Sequence, residues 1–219
     1  DIGFSYLWEN DATPSDPDVL AEPAITPVLE GGNWVYKKTL TAIEDSMTWN
    51  FRIATADGVT TSAVVPLGAF YIDTTDPTLT WGVLSAAPNA AGWNNADVTL
   101  PYTTGDNLSG VFSSTPGSPL SFTVEGEGLT QNVTVTDKAG NSATFTSLAV
   151  NLDKTAPSVS ALITGGTTGS NGWYTSDVTS TGSATDALSG VVLFEYSTNG
   201  GSTWATTTNP KDVLTSVEG

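Results

Sequence analysis

The chain has no cysteine and no histidine among its 219 residues. These absences exclude a cysteine nucleophile, a Ser-His-Asp triad and the imidazole or thiolate ligands of zinc, haem and iron–sulfur sites. Carboxylate chemistry and cations bound through oxygen are what remains. A chain without cysteine also folds without redox assistance, which fits a protein of the cell surface. We therefore expect an extracellular location.

Basic residues are scarce as well. Six Lys and Arg stand against 23 Asp and Glu, so the formal net charge is -17. A surface of this sign repels a phosphate backbone, and the sequence predicts no nucleic-acid partner. No apolar stretch approaches the length of a bilayer span, and no positively charged signal region follows Asp1. We expect no membrane insertion within this stretch of chain.

The residues that are abundant favour short strands joined by turns. The chain has 22 Gly and 12 Pro but only 13% charged residues, a composition typical of turn-rich β proteins. Within residues 77–156 apolar side chains recur near every second position, which is the period of a half-buried strand, and no helical period is sustained. The recurring residues are Val98, Leu100, Tyr102, Phe122, Val124, Val133, Val135 and Phe145. The sequence predicts an all-β protein.

An internal repeat with a spacing of 80 residues runs through the chain. The segments that recur are 73–77 at 153–157, 92–99 at 172–179 and 106–111 at 186–191, together with Asp57 as Asp137. Four matches at one spacing indicate copies of one module. Modules of this length, with one apolar face per strand and regular turns, predict tandem antiparallel immunoglobulin-like β-sandwiches.

Two short segments predict where one domain ends and the next begins. Residues 73–77 and 153–157, here called the first and second linker, share the pattern Asp-x-Thr-x-Pro. Proline fixes φ and cannot donate to a strand ladder, so it suits a stiff connection. The predicted domains are 1–76, which is incomplete or divergent at its N-terminal side, 77–156, which is complete, and 157–219, which is incomplete at its C-terminal side.

Four motifs together resemble the bacterial Ig-like tandem repeats of extracellular surface proteins and adhesins. They are the Gly-Trp-x-x-x-Asp-Val-Thr run, the Asp-x-Leu-Ser-Gly-Val loop, the turn at 137–141 and the two linkers. The resemblance covers residues 50–195, whereas residues 1–48 depart from it through an insertion rich in Pro and Asp. It implies Ig-like domains within a larger surface protein or within an accessory region of a secreted enzyme.

Asp73, Asp106 and Asp137 form the candidate metal site. In an immunoglobulin-type sandwich, the loop after the second strand and the loop between the last two strands share the pole at which the preceding linker enters. Asp106 and Asp137 occupy these loops and Asp73 belongs to the first linker, so we expect the three carboxylates to meet. With the amide oxygens of Asn107 and Asn141, they could supply the six to eight oxygen ligands of Ca²⁺.

Asp153 and Asp186 repeat this arrangement for the domain 157–219 and are further candidate calcium ligands. The third member of their set would lie beyond Gly219. A second interpretation is that each Asp caps its own turn by accepting a backbone N–H two residues on. Both interpretations stand at the level of sequence.

The remaining motifs are expected to be structural. Trp93 and Trp173 precede a strand at the same place in the repeat, which favours packing at a sheet edge or at a domain joint over stacking on a sugar ring. Glu125 and Glu127 flank a glycine in a predicted hairpin turn, where solvated acids are usual. A glycosidase needs two carboxylates that flank a cleft, and these two do not predict one. The chain is predicted not to be an enzyme.

These features predict a non-catalytic stalk or spacer in an extracellular bacterial surface protein, with calcium as the candidate cofactor at its joints. Its predicted partners are the adjacent domains of the same chain. Two alternatives remain. One is a filament subunit whose incomplete domains exchange strands with other copies, because an open sheet edge is a pairing template. The other is a carbohydrate-binding accessory region of a secreted enzyme, which would bind cell-surface glycans.

Overall fold

The computed structural model describes residues 3–10, 28–35, 37, 39, 42, 44–56, 59–60 and 62–215. Asp57 and most of the insertion within residues 1–48 lie outside the described residues. The described residues form strands and no helix, and the strands of every sheet pair in the antiparallel sense. The prediction of an all-β protein is confirmed, and the arrangement is consistent with a β-sandwich.

The strands are numbered in chain order. They are β1 Gly3–Asn10, β2 Val28–Glu30, β3 Asn33–Val35, β4 Ser46–Ala56, β5 Val65–Ile72, β6 Thr78–Trp81, β7 Val98–Leu100, β8 Tyr102–Gly105, β9 Val111–Thr115, β10 Leu120–Phe122, β11 Gly126–Leu129, β12 Asn132–Asp137, β13 Ser142–Thr146, β14 Val150–Leu152, β15 Ser158–Gly165, β16 Val178–Thr185, β17 Glu195–Tyr196, β18 Ala205–Thr206 and β19 Lys211–Thr215.

The chain groups into two compact units. The first unit contains residues 1–81, 102–118 and 132–146, and the second unit contains residues 82–101, 119–131 and 147–219. Both units draw segments from residues 77–156. The domain boundaries near residues 76 and 156 stay predictions.

In the first unit the strands form sheets of order β1-β4-β5 and β13-β12-β9 and the pairs β2-β3 and β6-β8. β12 shows how the sequence pattern produces this structure. Val133, Val135 and Asp137 are buried, whereas Thr134 between them is exposed, as the period of two along a strand requires. On the exposed face the hydroxyl oxygens of Thr134 and Thr144 lie 3.0 Å apart across the ladder.

In the second unit the strands form the pairs β10-β7, β11-β14 and β17-β18 and the sheet β15-β16-β19. Its buried apolar side chains lie on β7, β10 and β14, where Leu100, Leu120 and Leu152 are no more than 2% exposed. β15 differs, because Val159 and Leu162 on it are 74% and 65% exposed. The core of this unit therefore lies with the strands before residue 153.

Two turns of similar sequence hold candidate site residues in place. The Asp-x-Leu-Ser-Gly-Val motif follows β8 at 106–111 and β16 at 186–191. Gly110 and Gly190 have φ values of 78° and 77°, in the left-handed region that glycine enters without a steric penalty. In each turn this left-handed glycine stands four residues after the aspartate that begins the turn.

Candidate functional site

The structure brings Asp73, Asp106 and Asp137 together, and this group is called the acid cluster below. Asp73 follows β5, Asp106 follows β8 and Asp137 ends β12. One carboxylate oxygen of each lies within 4.8 Å of those of the other two. Asp137 is buried, and the other two are half-buried. Residues separated by 64 positions in the sequence thus share one site within the first unit.

Asp106 caps its own turn. Its Oδ1 accepts the backbone N–H of Leu108 at 3.1 Å and that of Gly110 at 2.7 Å. Gly110, which donates the second of these bonds, has a left-handed φ of 78° that glycine adopts without a steric penalty. The turn-capping interpretation is confirmed for Asp106. These bonds engage Oδ1, and a carboxylate has further lone pairs with which to bind a cation.

Asp137 is held by the turn that follows β12. Its Oδ1 accepts the backbone N–H groups of Gly140 at 2.6 Å and Asn141 at 2.8 Å, and its Oδ2 accepts Nδ2–H of Asn141 at 2.8 Å. Burial by itself raises the pKa of Asp137, but these hydrogen bonds and one from the backbone of Ala139 outweigh it and lower the pKa. Asp137 therefore keeps its negative charge in a buried position.

Asn141 contributes to the acid cluster in a way that differs from the sequence expectation. Its side-chain nitrogen donates to Asp137 Oδ2 and also to the backbone oxygen of Asp73 at 3.0 Å. Because the amide turns its nitrogen toward these residues, Asn141 acts here as a hydrogen-bond donor that links the 137–141 turn to the first linker. Its predicted role as a calcium ligand concerns the amide oxygen, which these bonds do not engage, and stays a prediction.

Asp73 connects the first linker to the turn at 106–110. Its Oδ1 accepts the N–H of Thr75 at 3.1 Å, and its Oδ2 accepts the N–H of Ser109 at 2.9 Å. The first bond caps the linker itself. The second joins residues 36 positions apart, so the linker is attached to the turn through one carboxylate.

A cleft of about 300 Å³ opens beside the acid cluster in the first unit. Its walls include the carboxylates of Asp45, Asp73, Asp76 and Asp106, and no basic side chain lines it among the residues that the structure describes. Four acids around one cleft produce a negative potential that attracts cations. Oxygen-rich, negatively charged surroundings suit Ca²⁺ among the common metal ions.

Asp153 and Asp186 reproduce two of the three carboxylates of this arrangement in the second unit. Asp153 accepts the N–H of Thr155 at 3.0 Å and that of Ser189 at 2.9 Å. Asp186 Oδ1 accepts the N–H groups of Leu188 at 3.1 Å and Gly190 at 2.7 Å. Hydrogen bonds from the hydroxyl and N–H of Ser189 outweigh burial and lower the pKa of Asp153. Within the described ranges, no third carboxylate completes a metal-binding group here.

Asp45 and Glu125 were missed as functional residues by the sequence reasoning. Asp45 Oδ1 accepts the N–H and hydroxyl of Thr74 at 2.9 and 2.8 Å, and Asp45 Oδ2 accepts the hydroxyl of Thr75. These bonds lower the pKa of Asp45, the Thr75 hydroxyl contributing most.

Glu125 makes the equivalent contacts with the second linker. Its Oε1 accepts the N–H of Lys154, and both of its carboxylate oxygens lie 3.0 Å from the Thr155 hydroxyl, which donates to them. The expectation that Glu125 is a solvated turn acid is wrong, because two linker groups bind it. The signal was present in the repeat, since Asp45 and Glu125 are separated by the same spacing of 80 residues.

The two repeated tryptophans differ in exposure. Trp93 is half-buried, whereas Trp173 is 75% exposed. Next to Trp93, Asn94 bridges Leu152 of β14, and the equivalent residue Tyr174 bridges Thr168 instead. No strand equivalent to β14 accompanies Trp173 among the described residues, so its packing at a sheet edge or at a domain joint stays a prediction.

Comparisons with known proteins find no relative. No protein-family model, no curated protein and no solved structure matches the chain. Over the residues that the structure describes, no helix has the length and apolar character needed to cross a membrane. The resemblance to Ig-like repeats stays a prediction.

Proposed function

We propose that this chain is a non-catalytic stalk of tandem Ig-like β-sandwich domains in an extracellular bacterial surface protein. The recurrence of one set of hydrogen bonds at both linkers carries the proposal. Asp73 and Asp153 each accept the N–H of a serine 36 residues further on, at 2.9 Å in both cases. Each linker is thus attached to the turn that follows it, as a stiff connector between domains requires.

The turns to which the linkers attach also repeat. Asp106 and Asp186 accept the N–H two residues on at 3.1 Å and the N–H four residues on at 2.7 Å in both turns. Each of these contacts holds backbone in place. Repetition of such a device favours a mechanical role, in which length and stiffness are the function.

The charge of the chain supports the same role. A net charge of -17 keeps like molecules apart and opposes pairing between exposed strand edges. A stalk of Thr-rich strands needs this protection because its sheets have free edges along their length. The acidic surface therefore favours a well-separated, extended molecule.

Calcium at the acid cluster is part of the proposal. Ca²⁺ binds oxygen at 2.3–2.6 Å, so two ligand atoms on one ion lie at most about 5 Å apart, and the acid cluster meets this limit. A bound cation would offset the mutual repulsion of the three carboxylates. It would also stiffen the first linker, to which Asp73 belongs.

Small-angle X-ray scattering of the whole chain tests the stalk. We expect an elongated particle whose dimensions are the same at two protein concentrations. A compact domain of this length has a radius of gyration of roughly 17 Å. A measured value near that figure would contradict the stalk.

A filament subunit is the second candidate, and the exposure of β15 favours it. Val159, Leu162 and Ile163 are 54–74% exposed, and covering them with another copy would be favourable by the hydrophobic effect. Mass measured by light scattering at two concentrations decides between the candidates. A monomer at both excludes the filament, whereas a mass that rises with concentration favours it.

A further inference from the structure

Each linker is bound by a carboxylate that lies outside the acid cluster and precedes the linker in the chain. Asp45 stands directly before β4, and Glu125 stands directly before β11. We infer that Asp45 and Glu125, called the linker acids below, are positioning residues that set the backbone path of the first and second linker. This inference rests on the proposed function and names the groups that make its joints stiff.

The two linker acids bind the same two positions of their linkers. The second residue of each linker donates its backbone N–H, from Thr74 to Asp45 and from Lys154 to Glu125. The third residue, Thr75 or Thr155, donates its hydroxyl to the same carboxylate. Aspartate and glutamate differ in length, so what recurs is the position of the carboxylate rather than the residue type.

The first residue of each linker binds a different partner, the turn that follows the linker. The Asp73 carboxylate accepts the N–H of Ser109, and the Asp153 carboxylate accepts that of Ser189. The first linker residue therefore binds the following turn, while the second and third bind the preceding linker acid. Rotation about the backbone between them breaks hydrogen bonds to a charged group, which are stronger than those between neutral groups.

The second linker makes additional contacts through the side chain of its second residue, Lys154. Lys154 Nζ lies 2.9 Å from Asp97 Oδ1 and donates to the backbone oxygen of Thr123 at 2.8 Å. The ion pair is solvent-exposed and is expected to contribute little by itself. The linker acid, which binds the backbone directly, is the group that we expect to control the linker.

Amide hydrogen exchange measured by NMR on the whole chain tests the inference at the second linker. In Glu125→Ala we expect the Lys154 amide to exchange about tenfold faster or more, because its charged acceptor is lost. The amide of Thr155 donates to Asp153 and should keep its wild-type rate. Glu127→Ala is the matched control, because it removes an exposed acid two residues away and should change neither rate.

Glu125→Gln is measured alongside, so that a folding defect in the alanine variant does not remove the test. It keeps an acceptor oxygen at the same side-chain length, and the expected increase at Lys154 is smaller than for alanine. A Lys154 rate in both variants equal to that of Glu127→Ala overturns the inference. Small-angle X-ray scattering tests the stalk separately from this exchange experiment. The Lys154 rate can stay unchanged in an elongated particle, and it can increase in a compact one.

Discussion

Replacing Gly110 with alanine is expected to destabilise the turn that holds the acid cluster. The φ of Gly110 is 78°, and a residue with a Cβ in this region costs about 1–2 kcal/mol. A Cβ at this position would lie 3.4 Å from Lys138 Nζ, which is the mobile end of a long side chain and can move aside. We therefore expect a loss of about 1–2 kcal/mol, all of it from the backbone.

Urea unfolding of three variants measures this loss. Gly190 has nearly the same φ, and a Cβ there meets nothing within 4 Å, so Gly190→Ala should lose a similar amount. Gly117 has no left-handed φ and equally open surroundings, so Gly117→Ala should be neutral or slightly stabilising. If Gly110→Ala and Gly190→Ala were both as stable as wild type, the backbone argument for these turns would be refuted. A loss at Gly110 alone would assign the effect to Lys138.

Three further predictions concern the metal, the pH dependence and the core. Calcium at about 100 times its dissociation constant should stabilise the chain by about 2.7 kcal/mol. Asp106→Asn keeps the oxygen acceptor of the turn and should lose this stabilisation by calcium. A wild-type melting temperature that is the same in calcium and in excess chelator removes the metal from the proposal. The hydrogen bonds of Asp45 hold its pKa below the ordinary 3.8, so its contribution to stability is present above pH 3.8 and is lost as the pH falls through the lower pKa of the folded state. The difference in melting temperature between wild type and Asp45→Asn should therefore shrink toward pH 2. A difference that grows toward pH 2 contradicts the assignment. Leu100 is fully buried and Leu162 is 65% exposed. Denaturant unfolding should therefore show that Leu100→Ala lowers the free energy of unfolding by about 2–5 kcal/mol and that Leu162→Ala hardly changes it. Equal decreases for the two variants would contradict the placement of the core.

The sequence was sufficient for features that depend on neighbouring residues. Alternation in β12 predicts that Val133 and Val135 are buried, because successive side chains on a strand point to opposite faces. The capping of its own turn by Asp106 is also local, since the donor N–H groups lie two and four residues on. The meeting of Asp73 with Asp106 and Asp137 required an assumed sandwich topology in addition, because these residues lie on different strands and loops.

Other features depend on which segments the folded chain brings side by side. Glu125 looks like a solvated turn acid in the sequence, and only the approach of the second linker, 29–30 residues further on, gives it partners. Trp93 and Trp173 occupy equivalent sequence positions but differ in exposure, because burial depends on the strand that lies alongside.

By itself the sequence determined the chemistry open to this protein, its strand periodicity and the turns closed by its aspartates, because composition and local hydrogen bonds do not require distant parts of the chain. The tertiary structure alone decided that Asn141 donates from its amide nitrogen at the acid cluster and that Asp45 and Glu125 bind the linkers. The reason is physical: a side chain separated from its partners by tens of residues acquires them only when packing and strand pairing place those partners within hydrogen-bond distance.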